Sequence, residues 1–221
     1  RQLVTKANTA PSGGNSQPWK WVFDKIGVLH LLHDKQKSVS LLDYKGTGSL
    51  LAFGAALETL RLEGASMGIE MKIDFQIKEF DQQLIASVYF LSKSDSPLDV
   101  AHANLSAGID LRCTNRKNAK RESVPVEKLN EFRSIANELG IDLEVLDQEV
   151  QLKALCPILG GMDRLRLLHE QGYKDFINEI RWSSDEAILT NDGIDIATLE
   201  LEKAGRAAMG LIRDPGTVAF F

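Results

Sequence analysis

The chain has 221 residues, 43% of them hydrophobic and 26% charged, with a formal net charge of −5. That length suffices for one good-sized domain or two small lobes with a real core, and the acidity speaks against general binding to nucleic acid or to an acidic membrane surface. No apolar run approaches the roughly 18 residues of a membrane span, no basic-then-apolar signal segment opens the sequence, and the cytoplasm is the expected compartment.

Residues 1–10 read as the end of a helix, with Leu3, Val4 and Ala7 on one side. After a loop, Lys20–Phe23 and Val28–His33 read as strands joined by the turn Asp24-Lys25-Ile26-Gly27, with His30 and His33 as structural strand positions. Residues 48–67 read as a helix whose Leu50, Leu51, Phe53, Leu57, Leu60 and Leu62 cover most of its circumference, which predicts burial all round. Gly54, Ala55, Ala56 and Ala65 keep it thin enough for close packing on another backbone, such as the same helix of a partner copy. In Glu70–Ile77 the residues Met71, Ile73, Phe75 and Ile77 alternate with Lys72, Asp74 and Gln76, as in a half-buried strand.

Leu84–Leu91 is apolar almost throughout and reads as a central strand. Residues 98–112 read as helical, and Glu127–Leu139 as an amphipathic helix with Leu129, Phe132, Ile135 and Leu139 on one face and Gly140 as its stop. Ile141–Leu146 reads as a short strand, and the remainder as helices over about 149–160, 162–181 and 195–212. Asp163, Arg164, Arg166 and His169 read as a solvated helix face, and Trp182 as a core residue. Strands and helices mix without strict βαβ alternation, so the fold class is α+β. No G-x-G-x-x-G follows a strand and no Walker lysine loop is present, which leaves the corresponding nucleotide-binding folds unsupported. Cys113 and Cys156 lack metal-ligand spacing, and His30, His33, His102 and His169 form no H-x-x-x-H pattern, so no metal is expected.

Two segments carry chemistry. The first, Thr9–Trp21, reads TAPSGGNSQPWKW. It is either a plain turn anchored by Trp19, or a loop whose Ser12, Gly13 and Gly14 let backbone approach a flat ligand closely. Asn15 and Gln17 then offer amides, each able to pair with a carbonyl and a ring N–H together, which is the edge an isoalloxazine presents. The second, Arg112–Arg121, reads RCTNRKNAKR, with five basic residues and no acid. Arg112, Thr114 and Arg116 alternate, so an extended segment brings two guanidinium forks and a hydroxyl to one side, which suits a phosphate. A solvated basic loop that partly caps the preceding helix is the other reading.

Ala7–Trp19 fits throughout the motif A-x-x-A-P-S-x-x-N-x-Q-P-W, and in this the sequence resembles the FMN-dependent nitroreductase family. Gly54-Ala55-Ala56-Leu57-Glu58 with Leu60–Gly68 is similar to that family's central buried helix, and Arg112-Cys113-Thr114-Asn115-Arg116 to its R-x-S/T-x-R phosphate clamp; the likeness covers roughly residues 1–120. It implies a nitroreductase-like fold, a mixed or antiparallel sheet flanked by helices with a mainly helical C-terminal half. It also implies FMN as cofactor, NAD(P)H as reductant, and hydride transfer to a nitroaromatic, quinone or similar small-molecule acceptor. The flavin carries that chemistry, so no catalytic side chain is named. On this resemblance Pro11, Ser12, Asn15 and Gln17 line the isoalloxazine, Arg112 and Arg116 hold the phosphate, and Thr114 assists.

In the family the clamp usually opens the domain and the Pro-Ser loop follows; here the loop comes first. An internal duplication accounts for this order: residues 1–105 form a lobe with the loop, and 106–221 form a second, truncated or degenerate lobe opening on the clamp, unless the two are one continuous domain. The family's homodimer is then either kept or imitated by an internal pseudo-dimer. The second lobe has no Pro-Ser loop of its own, so at most one FMN per chain is expected. Arg181–Asp195 resembles atypical members fused to an adenylating domain, and the chain, opening on Arg1, is expected to be trimmed or part of a longer protein. The alternatives to an oxidoreductase are a module that binds or sequesters flavin with little turnover, and a non-catalytic domain of a larger fusion.

Overall fold

The computed structural model describes residues 1–77, 83–98, 100–116, 120 and 122–218, so Lys117, Asn118, Ala119 and Arg121 of the basic segment lie outside the described residues. Trp19–Phe23 (β1) and Leu29–His33 (β2) form the expected hairpin, with Asp24 Oδ1 accepting the N–H groups of Ile26 and Val28 across a turn that ends on Gly27 at φ 87°. Ile69–Phe75 (β3) and Leu84–Lys93 (β4) complete a four-stranded antiparallel sheet in the order β1-β2-β4-β3. The apolar run of β4 lies between β2 and β3, where both of its edges are paired.

Side chains alternate across a strand, and the register sets Trp21 against Leu31, Leu31 against Ala86, and Val88 against Ile73, on one face of the sheet. Thr47–Ser66 (α2) lies on that face. Its Ala52, Phe53, Ala56, Leu57 and Leu60 form the core with Trp19, Leu29, Leu31, Ala86 and Val88, joined by Ala7 of Gln2–Ala7 (α1). The architecture is thus α+β, as the mixed pattern predicts. The burial of α2 differs from the expectation: Leu51 is 71% exposed, and Gly54 has nothing within 4 Å of the place a Cβ would occupy. The sheet and two helices cover one arc of α2, and no described residue covers the other.

Val100–Ile109 (α3) packs on α2, and a buried carboxylate joins the three helices. Glu63 of α2 accepts the Ser106 hydroxyl of α3 at 2.8 Å and the Gln2 amide of α1 at 3.4 Å. A buried carboxylate is tolerated only with such donors. Just beyond, Lys6 bonds Asp110 at 2.5 Å, and this hydrogen bond holds the lysine above its ordinary pKa.

The C-terminal half is helical: Val126–Glu138 (α4), Glu149–Leu168 (α5), Glu170–Glu179 (α6), Ser184–Thr190 (α7), Lys203–Ile212 (α8) and Pro215–Val218 (α9). The apolar face predicted for α4 forms, but Phe132, Ile135 and Leu139 on it are exposed. The strand expected over Ile141–Leu146 does not: that stretch is irregular, because no described strand pairs with it to satisfy its backbone groups. The break expected after residue 160 falls instead at His169, which caps α6 by accepting the Gly172 N–H. Ile180–Arg181 (β5) and Ile194–Asp195 (β6) pair in parallel around α7. The helix expected from residue 195 begins later, because the single turn Ile196–Leu199 stops at Glu200, whose φ is 52°. No helix among the described residues is long and apolar enough to cross a membrane.

Ser106→Ala takes the closer of its two donors from the buried Glu63 carboxylate. It is expected to lower unfolding stability by about 1.5–3 kcal/mol, the range for hydrogen bonds to charged groups, as measured by urea titration; an unchanged midpoint would show that Glu63 does not tie α3 to α2.

Candidate functional site at the Pro-Ser loop

The loop is pinned at both ends by one side chain. Asn8 closes α1, and its Oδ1 accepts the indole N–H groups of Trp19 at 3.0 Å and Trp21 at 3.1 Å, both from β1. Between these ends the backbone enters the left-handed region three times, at Gly14 (φ 57°), Asn15 (φ 54°) and Gln17 (φ 48°). Two of these are not glycine and cost energy there. Specific bonds compensate: the Gln17 N–H donates to Ser12 Oγ at 2.9 Å, the Gln17 amide donates to the Asn191 carbonyl at 2.7 Å, and the Gly193 N–H donates to the Asn15 carbonyl at 3.2 Å.

The turn Asn191–Gly193 that meets the loop is itself held firmly. Arg181 donates from Nε and Nη2 to Asp192 Oδ1, at 3.0 and 2.6 Å. Gly193, at φ 73°, has no room for a Cβ, which would fall within 2.5 Å of the Arg181 guanidinium. Burial pushes the Asp192 carboxyl upward, but the bonds from Arg181 and Thr190 and the charges of Arg181 and Lys37 outweigh it, so its pKa lies below the ordinary 3.8.

Arg112–Arg116 leaves the end of α3 as an exposed, irregular segment. Arg112 Nη2 reaches the Thr9 carbonyl at 3.4 Å, so the first residue of the basic segment meets the start of the loop across 103 positions of sequence. Thr114 and Arg116 are exposed. Of the loop residues singled out in the sequence, Pro11 and Asn15 are exposed, while Ser12 and Gln17 are half-buried and engaged within the chain.

Gly13, Gly14 and Ser16 of the loop line a cavity of about 590 Å³, whose other walls come from residues 36–40, Leu42 and Asp43, the start of α2, and Arg166, Asp175, Glu179 and Arg181. Arg166 departs from the solvated face expected for it. Its side chain is 14% exposed, bonds Glu179 at 2.7 Å and lies over the Phe176 ring at 5.1 Å. The helical period shows a charged stripe on α5 but not the sharp reversal at His169 that folds α6 back against it. Trp182 is half-buried, with the Arg213 guanidinium 5.0 Å over its ring. Asn8, Arg181 and Asp192 fix the loop and the turn that meets it, a role nothing local in the sequence assigns them. The Asn-Asp-Gly triplet at 191–193 is a recognisable turn signal, but nothing local says which loop it meets. No group of three or more metal-ligating side chains occurs among the described residues.

No protein-family model matches the chain. It is 28% identical over 217 residues to an uncharacterized protein of Mycobacterium tuberculosis, a match covering 98% of this chain and 29% of that protein. It is 32% identical over 119 residues to the protein of the same organism named "Putative NAD(P)H nitroreductase acg", covering 52% of this chain and 34% of that one. A further uncharacterized M. tuberculosis protein is 34% identical over 65 residues, 28% of this chain and 19% of its own length. The chain thus spans about a third or less of each relative it matches.

Gly14→Ala is expected to lower stability by roughly 1–2 kcal/mol, the cost of the left-handed region for a residue with a Cβ, because the new carbon also lies 2.9 Å from Glu179. Gly13→Ala, with open space at that position, is expected to leave the thermal midpoint within a degree or two of the parent; equal losses in both variants would contradict the loop geometry. Because the folded pKa of Asp192 is depressed, its contribution is present above pH 3.8 and is lost as pH falls through the folded value. Hydrogen exchange at the Gly193 amide is therefore expected to accelerate in acid relative to an Asp192→Asn variant, whose exchange lacks that pH dependence.

Proposed function

We propose that this chain carries the flavin site of an FMN-dependent NAD(P)H oxidoreductase of nitroreductase type. The observation that carries the reading is the approach of Arg112 to Thr9, which sets a phosphate-type clamp beside a loop of exposed backbone and amides. The name of one partial relative points the same way.

The donor set fits FMN. Arg112 and Arg116 are exposed beside Thr114, and a dianionic phosphate is the partner that two guanidinium forks and a hydroxyl favour. Asn15 is exposed at the loop, Ser12 retains its hydroxyl proton, and Gln17 retains its carbonyl oxygen. Bound FMN would supply the hydride chemistry. The chain's residues bind and orient: the arginines fix the phosphate, Pro11 and the loop backbone lie against the ring, and Asn15 and Gln17 read its edge. The acceptor is a small molecule such as a nitroaromatic or quinone.

In this reading one chain supplies both halves of the site, the loop from residues 1–105 and the clamp from 106–221; that boundary falls inside α3, which joins the two stretches as one helix and favours one continuous domain. The bare stripe of α2 at Leu51 and Gly54 supports close packing on a second copy or on a further part of a longer protein.

Arg112→Ala and Arg116→Ala are each expected to weaken FMN binding by about 1.5–3 kcal/mol, or roughly 10- to 150-fold, as followed by quenching of flavin fluorescence, with circular dichroism confirming the fold. FMN bound by the double variant as tightly as by the parent would remove the clamp assignment.

A further inference from the structure

The stretch between α4 and α5 takes no part in the loop, the basic segment or the cavity. Residues 138–149 read ELGIDLEVLDQE, with five acids and no base. Within it Ile141, Leu143 and Val145 alternate with Asp142, Glu144 and Leu146, the period of a strand, yet no described strand pairs with it.

Both ends of the stretch are fixed. At the end of α4 Gly140, at φ 68°, donates its N–H to the Asn137 carbonyl, and the Ile141 N–H donates to the Ala136 carbonyl at 2.8 Å. These are the two bonds of a Schellman turn, which sets the direction in which the chain leaves the helix. At the start of α5 Gln148 and Gln151 form a reciprocal capping box. Between these anchors the backbone groups of residues 142–147 have no hydrogen-bond partner among the described residues. A row of open N–H and C=O groups is a template for a further strand.

The apolar surface around the stretch is bare as well. Phe132, Ile135 and Leu139 of α4, and Ile141, Leu143 and Leu146 after it, are each at least 41% exposed. Neither α4 nor α5 holds a buried residue. The chain exposes 15442 Å² in all, against roughly 10,000 Å² for a compact monomer of this mass. An excess of that order is the scale on which protein–protein interfaces form.

Charge decides the occupant. Pairing with a second copy about a twofold axis centred on Asp142, Leu143 or Glu144 sets acid opposite acid, and like charges directly opposite destabilise a strand pair, whereas opposite charges stabilise it. We infer that residues 141–146 are a strand-addition site for an extended segment of a partner polypeptide in which apolar residues alternate with lysine or arginine. The open backbone supplies the pairing, the partner's apolar row meets Ile141, Leu143 and Val145, and its basic row meets Asp142 and Glu144. This site is independent of the flavin reading.

The test is amide NMR on the whole isotope-labelled chain with three synthetic heptapeptides: KVKVKVK, its acidic counterpart EVEVEVE, and KKKKVVV, which has the composition of the first in blocks. KVKVKVK is expected to shift the amides of residues 141–147 and to slow their hydrogen exchange at least tenfold, with the other two peptides at least tenfold weaker. No shift at millimolar KVKVKVK, shifts centred elsewhere, or equal binding of either control would overturn the inference. Protection of the same amides in the chain alone, with a dimer in sedimentation equilibrium, would overturn it in favour of a second copy. Asp142→Lys combined with Glu144→Lys is expected to reverse the preference toward EVEVEVE. Leu143→Pro and Glu144→Pro remove one N–H each, from opposite edges of the stretch. Neither position lies in a helix or strand, so circular dichroism is expected to be unchanged while at least one of the two weakens KVKVKVK binding tenfold. An unaltered preference in the lysine variant, or unaltered binding in both proline variants, would contradict the assignment.

Discussion

The carboxylate of Glu63, on α2, lies where α1 and α3 meet that helix and takes a donor from each, and the position of Arg112 beside the loop depends on it. Ser106 reaches it from α3 and Gln2 from α1, while Lys6 and Asp110 join the same two helices at the surface. Arg112 follows within a few residues of Asp110, and Thr9 within a few residues of Lys6. Holding the two helix ends together brings Arg112 to the first residues of the loop. A carboxylate in that place is costly without its donors, so the helices are held in one arrangement more strictly than by apolar contact alone.

The loop is shaped by a different constraint. Its left-handed residues Asn15 and Gln17 are held by the Ser12 hydroxyl and by a turn near the other end of the chain, and that turn is held in shape by the Arg181 fork on Asp192. The start of the loop meets one exposed guanidinium, that of Arg112 at the Thr9 carbonyl. Toward the cavity, cations and carboxylates are matched in pairs.

Much of this was legible in the sequence where the signal is local. The alternation of β3, the apolar run of β4, the Asp-Gly turn of the first hairpin and the limits of α2 and α4 all follow from short-range period and turn chemistry. The Pro-Ser loop and the alternating Arg112, Thr114 and Arg116 were conspicuous by composition. What failed was long-range. Residues Ile141–Leu146 have strand propensity but no strand to pair with. Arg166 looked solvated because its partner Glu179 arrives only after a helix reversal. Leu51 looked buried because helix composition does not say how many sides are covered. Asn8 gave no signal, since its role depends on two tryptophans eleven and thirteen residues away.

The central claim is that the loop and the clamp, brought together in one chain, hold FMN for reduction by a nicotinamide nucleotide. The most direct measurement is the visible absorption spectrum of the purified chain after incubation with FMN and removal of the excess, followed by anaerobic addition of NADH or NADPH. The account predicts a retained flavin band that bleaches with at least one of the two nucleotides. A retained band that neither nucleotide bleaches would contradict the oxidoreductase in favour of a holding module, and the absence of retained flavin would contradict the site itself.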